Sequence, residues 1–231
     1  NHSATHLLHA ALKEVLGGHI KQAGSLVSSN RLRFDYTHFS ALTGKERTRI
    51  ESRVNEKIRD NIQVSTNEMD IDTAIKEGAM ALFGEKYGET VRVVDVPGFS
   101  KELCGGTHVT ATGDIGLFRI TSEGGIASGV RRIEAVTGAI AYDTIRAEQE
   151  SLTAIRELLK APSHEEIGKL KKLLEKNRHL EKEISTLKEK MVSGKESAND
   201  NDVQKLGEIS YLIKKLEDMD AKTLRTFIDN S

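Results

Sequence analysis

The chain has one cysteine, Cys104, and two prolines in 231 residues. A single thiol excludes an internal disulfide framework and leaves a reduced sulfur for a metal or for chemistry, which fits a cytoplasmic location. No apolar run approaches the ~20 residues that cross a bilayer, and no signal-peptide pattern opens the sequence. Charge of one sign is not in surplus either. With 34 Lys+Arg against 35 Asp+Glu there is no global positive field to advertise nucleic-acid binding, so any RNA contact must be local. The glycine-rich "GGIASG" matches neither a P-loop nor a dinucleotide fingerprint. No Ser-His-Asp arrangement supplies an activated nucleophile. An initiator Met is also missing, and "TLRTFIDNS" stops inside a helix-like pattern, so the expectation is a piece of a larger protein.

What is present divides near Gly138, with glycine-punctuated short elements before it and long helical patterns after it. Leu8, Ala11, Leu12 and Val15 share one face of a helix expected over Ser3 to Leu16, stopped by Gly17 and Gly18. "RLRFDY", Arg31 to Tyr36, alternates like a half-buried strand behind the polar turn "SSN". Thr43 and Glu46 have capping-box spacing ahead of Ile50, Val54, Ile58 and Ile62, and a third helix is expected over Asp72 to Phe83. "TVRVVDV", "LFRITSE" and "VRRIEAV" read as strands. The expected class is α+β, an antiparallel sheet packed on helices, with domain 1–138 followed by a helical segment at 139–192. Within that segment Pro162 interrupts the first helix, and Ser163 with Glu166 caps the next. Leu170, Leu173, Asn177, Leu180, Ile184, Leu187 and Met191 then follow a 3-4 repeat, which suits either a hairpin in cis or a homodimeric coil through 163–191. A polar linker, 193–202, precedes a strand and helix in 203–231.

Two short motifs carry chemistry. His2 and His6 stand four apart on the first helix and so share one face, with His9 on the same edge as a decoy. Far along the chain, "ELCGGTH" sets Cys104 four residues before His108 across two glycines able to take positive φ and turn both side chains to one point. Thiolate with imidazole is a zinc-type donor set, and together the two motifs give Cys-His₃, the tetrahedral count of Zn²⁺. The competing reading is an inert Cys beside an exposed His.

At these residues the chain resembles a known family. "HSATHLLHAAL", "KQAGSLVSSNRLRFDYTH", "ELCGGTHV" and "GLFRITSEGGIASGVRRIEAVTG" are similar to the editing domain of alanyl-tRNA synthetase of the bacterial kind, in the family's order and over the first ~140 residues. The later half resembles that synthetase's helical linker and the opening of its C-terminal domain. The resemblance places the zinc ligands on His2, His6, Cys104 and His108, and an editing-pocket glutamine on Gln22. It implies a zinc-assisted aminoacyl-tRNA ester hydrolase in which Cys104 and Gln22 serve catalysis. The substrates implied are serine or glycine wrongly joined to the acceptor end of alanine tRNA. A pocket built for a methyl group cannot exclude glycine and rejects an added hydroxyl only ~10²-fold, so a second, hydrolytic sieve is needed. The regions that would charge tRNA have no counterpart here.

Tetrahedral zinc with all four ligands in place would instead be structural or substrate-positioning, with the attacking water activated by a tRNA hydroxyl or a nearby side chain. RNA contacts are expected at Arg31 and Arg33 on one strand face and at Arg131 and Arg132 beside "GGIASG". The rival readings are a structural-zinc module that binds tRNA and dimerises without catalysis, and a free-standing deacylase acting in trans.

Overall fold

The computed structural model describes residues 1–81, 87–162, 164–193, 203–207, 209–212 and 225. They form two compact units, Asn1–Glu150 and Ser151–Ser231.

The first unit is built around helix α1 (His2–Leu16), whose residues from Ser3 to Leu12 are all buried. Sequence periodicity suggests a one-faced helix, but α1 has neighbours on all sides. Leu7, Leu8 and Leu12 are fully buried, and burying such a side chain contributes about 1.5–3 kcal/mol relative to leaving it in water. Gly17 ends the helix at φ 114, where a side chain would be strained. Strand β1 (Gln22–Val27) follows, then β2 (Leu32–Thr37), with Leu32, Phe34 and Tyr36 fully buried as expected and Arg33 half-buried between them, whereas Asp35, expected on the polar face, is buried as well. Helix α2 (Gly44–Arg59) opens on the expected capping box: Thr43 Oγ1 accepts from Glu46 N, and the Glu46 carboxylate accepts from Thr43 N. Ile50, Val54 and Ile58 face the core, and Ile62 packs there from beyond the helix end.

Strand β3 (Ser65–Asp70) leads into α3 (Ile71–Lys76), which is shorter than the expected Asp72–Phe83. The chain leaves the helix at Glu77 and Gly78, the latter at φ 84. It then lays Met80 along the next sheet, donating to Lys101 O and accepting from Leu103 N at 2.9 Å each. Phe83 lies outside the described residues. Strands β4 (Thr90–Val96) and β5 (Ser100–Leu103) complete an antiparallel sheet in the order β3-β4-β5. The other sheet is β1-β2-β7-β6, closed by β6 (Phe118–Ala127) and β7 (Val130–Thr137), again antiparallel. Helix α4 (Gly138–Leu159) begins with Ala141 buried in this unit.

In the second unit α5 (Glu166–Ser193) carries the 3-4 repeat, with Leu170, Leu173, Leu180, Ile184 and Leu187 between 42% and 55% exposed. Ser163 lies outside the described residues. At the start of α5, Glu166 accepts from His164 N and pairs with Arg156. Of the linker only Ser193 is described. Beyond it β8 (Val203–Leu206) and β9 (Ile209–Leu212) form an antiparallel pair. The helix expected after β9 lies outside the described residues apart from Arg225. No described helix is long and apolar enough to cross a membrane.

Candidate metal centre

Helix α1 and the loop after β5 bring the two motifs together. His2, His6, Cys104 and His108 each offer one donor atom, and the four atoms lie within 4.8 Å of one another. His2 Nε2 is 3.4 Å from Cys104 Sγ. The three imidazoles face each other at centroid separations of 5.3, 4.4 and 5.0 Å. Metal bonds of ~2.0–2.1 Å to nitrogen and ~2.3 Å to sulfur make the edges of a tetrahedron about 3.3–3.6 Å. The His2–Cys104 separation of 3.4 Å already has that length, and no pair of donors is more than 4.8 Å apart.

The surroundings orient the donors. The Glu102 carboxylate, 1% exposed, accepts from His6 Nδ1 at 2.6 Å and from His9 Nδ1 at 3.0 Å, and Ser100 Oγ donates to it at 3.2 Å. An ionised carboxylate only accepts, so both rings carry a proton on Nδ1. For His6 this leaves Nε2 facing the cluster, where metal binding would displace its proton, the usual carboxylate–histidine–metal arrangement. His108 Nδ1 lies 3.2 Å from Ser3 Oγ, which also accepts from Val109 N at 3.1 Å. His6 Nε2 and His108 Nε2 are buried with no hydrogen-bond partner, as an ion between them would require. The residues present fit zinc.

Electrostatics agree. Burial raises the Cys104 thiol, but the imidazoles of His108, His2 and His6 gathered around the sulfur outweigh it and bring the pKa down to about 3, so the sulfur is a thiolate at neutral pH. Burial lowers His6, but Cys104 and Glu102 overcome it and raise the pKa to about 9. Burial likewise opposes ionisation of Glu102, yet His6 and His9 hold it down at about 2.

The two glycines work differently from the sequence expectation. Neither Gly105 nor Gly106 takes positive φ. Instead, a Cβ on Gly106 would sit 2.0 Å from His2 Cε1, so the glycine makes room for the ring, while Gly105 faces open space. The loop is held by Cys104 N donating to Arg92 O at 2.9 Å and by Arg92 Nη1 donating to Gly105 O at 3.2 Å.

A cavity of about 410 Å³ opens onto His2 and His108 between Asn1, Ser28, Ser29 and Thr107. Gln22 lines a different cavity of about 300 Å³ with His9, Lys13, Ile20, Lys21, Met80 and Ala81. His9, the expected decoy, has no place in the cluster, and its Nε2 is buried without a partner.

The four arginines lie on β2, β7 and the turn before β2. Arg132 makes a twofold contact with Asp35, at 2.7 and 2.8 Å, across the β2–β7 ladder. Arg131 points to the other face and pairs with Glu123. Arg33 lies 3.7 Å from Asp35. Arg31 is the most open, its side chain 57% exposed and 3.5 Å from Glu134. Sequence reasoning missed Glu102 and Ser3. The available signal was a carboxylate two residues before the cysteine, on a strand where alternate residues face the same way.

Residues 91–134 match the family described as threonyl and alanyl tRNA synthetase second additional domain. An alanine–tRNA ligase of Fervidobacterium nodosum is 51% identical over 230 residues, covering 100% of this chain and 26% of the ligase. Those of Saccharophagus degradans and Shewanella loihica are 53% and 52% identical over 99% of the chain, which again covers 26% of each. The chain thus spans about a quarter of the length of the curated relatives it matches.

Proposed function

The chain is homologous over its whole length to a segment of the alanyl-tRNA synthetases, and on that premise we propose that it carries a proofreading site that hydrolyses seryl and glycyl esters of alanine tRNA. The observation that carries the reading is the meeting of four zinc-type donors, from segments a hundred residues apart, at the mouth of a polar-lined cavity. Zinc, when bound by His2, His6, Cys104 and His108, supplies a Lewis acid for the ester or its attacking water. The chain's own residues orient the substrate. His6 is held by Glu102 and His108 by Ser3, so neither imidazole has to reorganise when the ester arrives. The hydroxyls of Ser28, Ser29 and Thr107 and the amide of Asn1 surround the cavity that receives the aminoacyl group. A polar group there that bonds a serine hydroxyl is left unpaired by alanine, which discriminates against the correct ester. Arg31, the most exposed of the four arginines, meets a phosphate of the acceptor end.

Single-turnover hydrolysis of serylated alanine tRNA, with metal content measured on the same sample, tests the proposal. Wild type hydrolyses the seryl ester faster than the alanyl ester, and Cys104→Ala loses zinc and hydrolysis together. Full hydrolysis by a zinc-free sample refutes a catalytic metal. A second reading rests on the donor count: four protein ligands are the complement of a closed structural zinc site, in which case zinc binds and wild type does not hydrolyse.

A further inference from the structure

An aromatic column on the first unit has no part in the metal centre. Phe34, Tyr36, His38, His19 and Phe39 stand with successive ring planes within 25° of one another, at centroid separations of 6.4, 6.3, 5.3 and 6.5 Å. The column starts in the core, where Phe34 and Tyr36 are fully buried, and ends on Phe39, which is 91% exposed. Exposing so large a ring forfeits the burial that its neighbours enjoy. The segments on either side of the ring are held by hydrogen bonds. His38 N donates to Gly129 O at 3.0 Å, His19 Nε2 and His38 Nδ1 are 3.0 Å apart, and Thr37 Oγ1 bonds both His19 O and Lys21 N at 3.0 Å. Gly129, in the β6–β7 turn at φ 70, lies beside the ring, and a Cβ there would stand in ordinary contact with Phe39 at 3.9 Å.

At its buried end the column meets an acid, Tyr36 Oη donating to the Glu123 carboxylate at 3.3 Å, but the cavity beside its His19 is cationic. Ile20, Lys21 and Gln22 run from His19 into that cavity, which His9 and Lys13 also line, and among its described lining residues there are two lysines and no acid. A flat apolar face next to cations and hydrogen-bonding side chains is the combination that binds single-stranded nucleic acid: bases stack on the ring and phosphates meet the lysines. We propose that Phe39, backed by His19, is a stacking platform for a nucleobase of the unpaired 3′ end of an RNA, with Lys21 beside it to meet the adjoining phosphate. The platform rests on the proofreading reading for its biological substrate, since an ester on a terminal ribose must be delivered by that unpaired end.

The test uses a hairpin RNA ending in four unpaired 3′ nucleotides, the same hairpin with a blunt end, and 2-aminopurine in the unpaired segment as a stacking reporter. Wild type binds the overhanging RNA more tightly than the blunt one and changes the reporter's fluorescence. Phe39→Ala weakens overhang binding about 5- to 140-fold, the range for one stacked base, abolishes the fluorescence change and leaves zinc content unaltered. Phe39→Trp restores both readouts. With seryl-tRNA as substrate, Phe39→Ala raises KM while kcat holds. Overhang binding and KM unchanged in Phe39→Ala, with hydrolysis intact, overturn the platform and leave the proofreading reading standing. Phe39-dependent overhang binding by a wild type that does not hydrolyse seryl-tRNA upholds the platform and removes the proofreading reading. Equal binding of blunt and overhanging RNA overturns the platform, and the exposed ring is then a contact for another protein.

Discussion

Gly106→Ala tests the geometry of the metal centre with a single methyl group. The new Cβ would lie 2.0 Å from His2 Cε1, 2.5 Å from Nδ1 and 3.3 Å from Nε2. Ordinary contact begins near 3.4 Å, so the ring must retreat by at least 3.4 − 2.0 = 1.4 Å. Zinc tolerates ligand displacements of about 0.2 Å, which removes His2 from the donor set. Losing the support behind a ligand costs 10- to 100-fold in metal affinity. Losing the ligand itself should therefore weaken zinc by about 100-fold or more, roughly 2.8 kcal/mol. The fold should survive, because Gly106 does not need positive φ and the half-buried His2 ring can swing away at the start of α1. Gly105→Ala is the control, as nothing lies within 4 Å of its Cβ. Competition with a chromophoric chelator measures the affinities, and circular dichroism the fold. The reasoning is refuted if Gly106→Ala binds zinc within threefold of wild type, or if Gly105→Ala is weakened as much.

Glu102→Gln removes the charge that orients His6, and zinc affinity should fall 10- to 100-fold by the same competition assay; an unchanged affinity would show that the carboxylate plays no part in ligation. For the zinc-free chain, Glu102 and Cys104, both depressed, add stability that is lost as pH falls through about 2 and 3, whereas His6, raised, adds stability that is lost as pH rises from 6.5 through about 9. The melting temperature should therefore climb from acid to about pH 6.5 and then level off to about 9, where the opposing His6 and Cys104 effects cancel; a peak at pH 4 would contradict these assignments. Arg31→Ala should weaken tRNA binding and flatten its salt dependence by about one released ion, and an unchanged slope counts against a phosphate partner for this side chain. We propose a second copy of the chain as the partner of the exposed α5 stripe, so sedimentation should give a dimer that Leu173→Glu with Leu180→Glu converts to monomer; a monomeric wild type at high concentration excludes it.

The donors are readable from sequence because they are defined by type and spacing: a helix puts His2 and His6 on one side, and the rarity of the thiol points to Cys104. Glu102 and Ser3 are not readable, since a carboxylate or hydroxyl becomes a ligand's support only when tertiary packing points it at the right nitrogen. The same limit explains His9. Its spacing marks it as sharing an edge with His6, but only the fold reveals that Glu102 serves both rings. Strand β2 and the Thr43 cap are legible from local patterns. Strands β1 and β3 are not, because "QAGSLV" and "STNEMD" lack apolar alternation and owe their form to their neighbours in the sheet. The paired glycines stand out in the sequence for their backbone freedom, whereas Gly106 matters for the space it leaves.

Helix α1 is enclosed on every side, yet its first turns hold half of the donors, while the other half arrive 102 residues later along the chain. Doubling the length of a closing loop adds only about 0.6 kcal/mol of entropy, so the long separation costs little at equilibrium. Its effect is on what the site requires. The four donor atoms converge only when the loop that follows β5 is docked on the first turns of α1, so a chain in which the β3-β4-β5 sheet has come away from that helix offers two separate pairs of donors and no cluster.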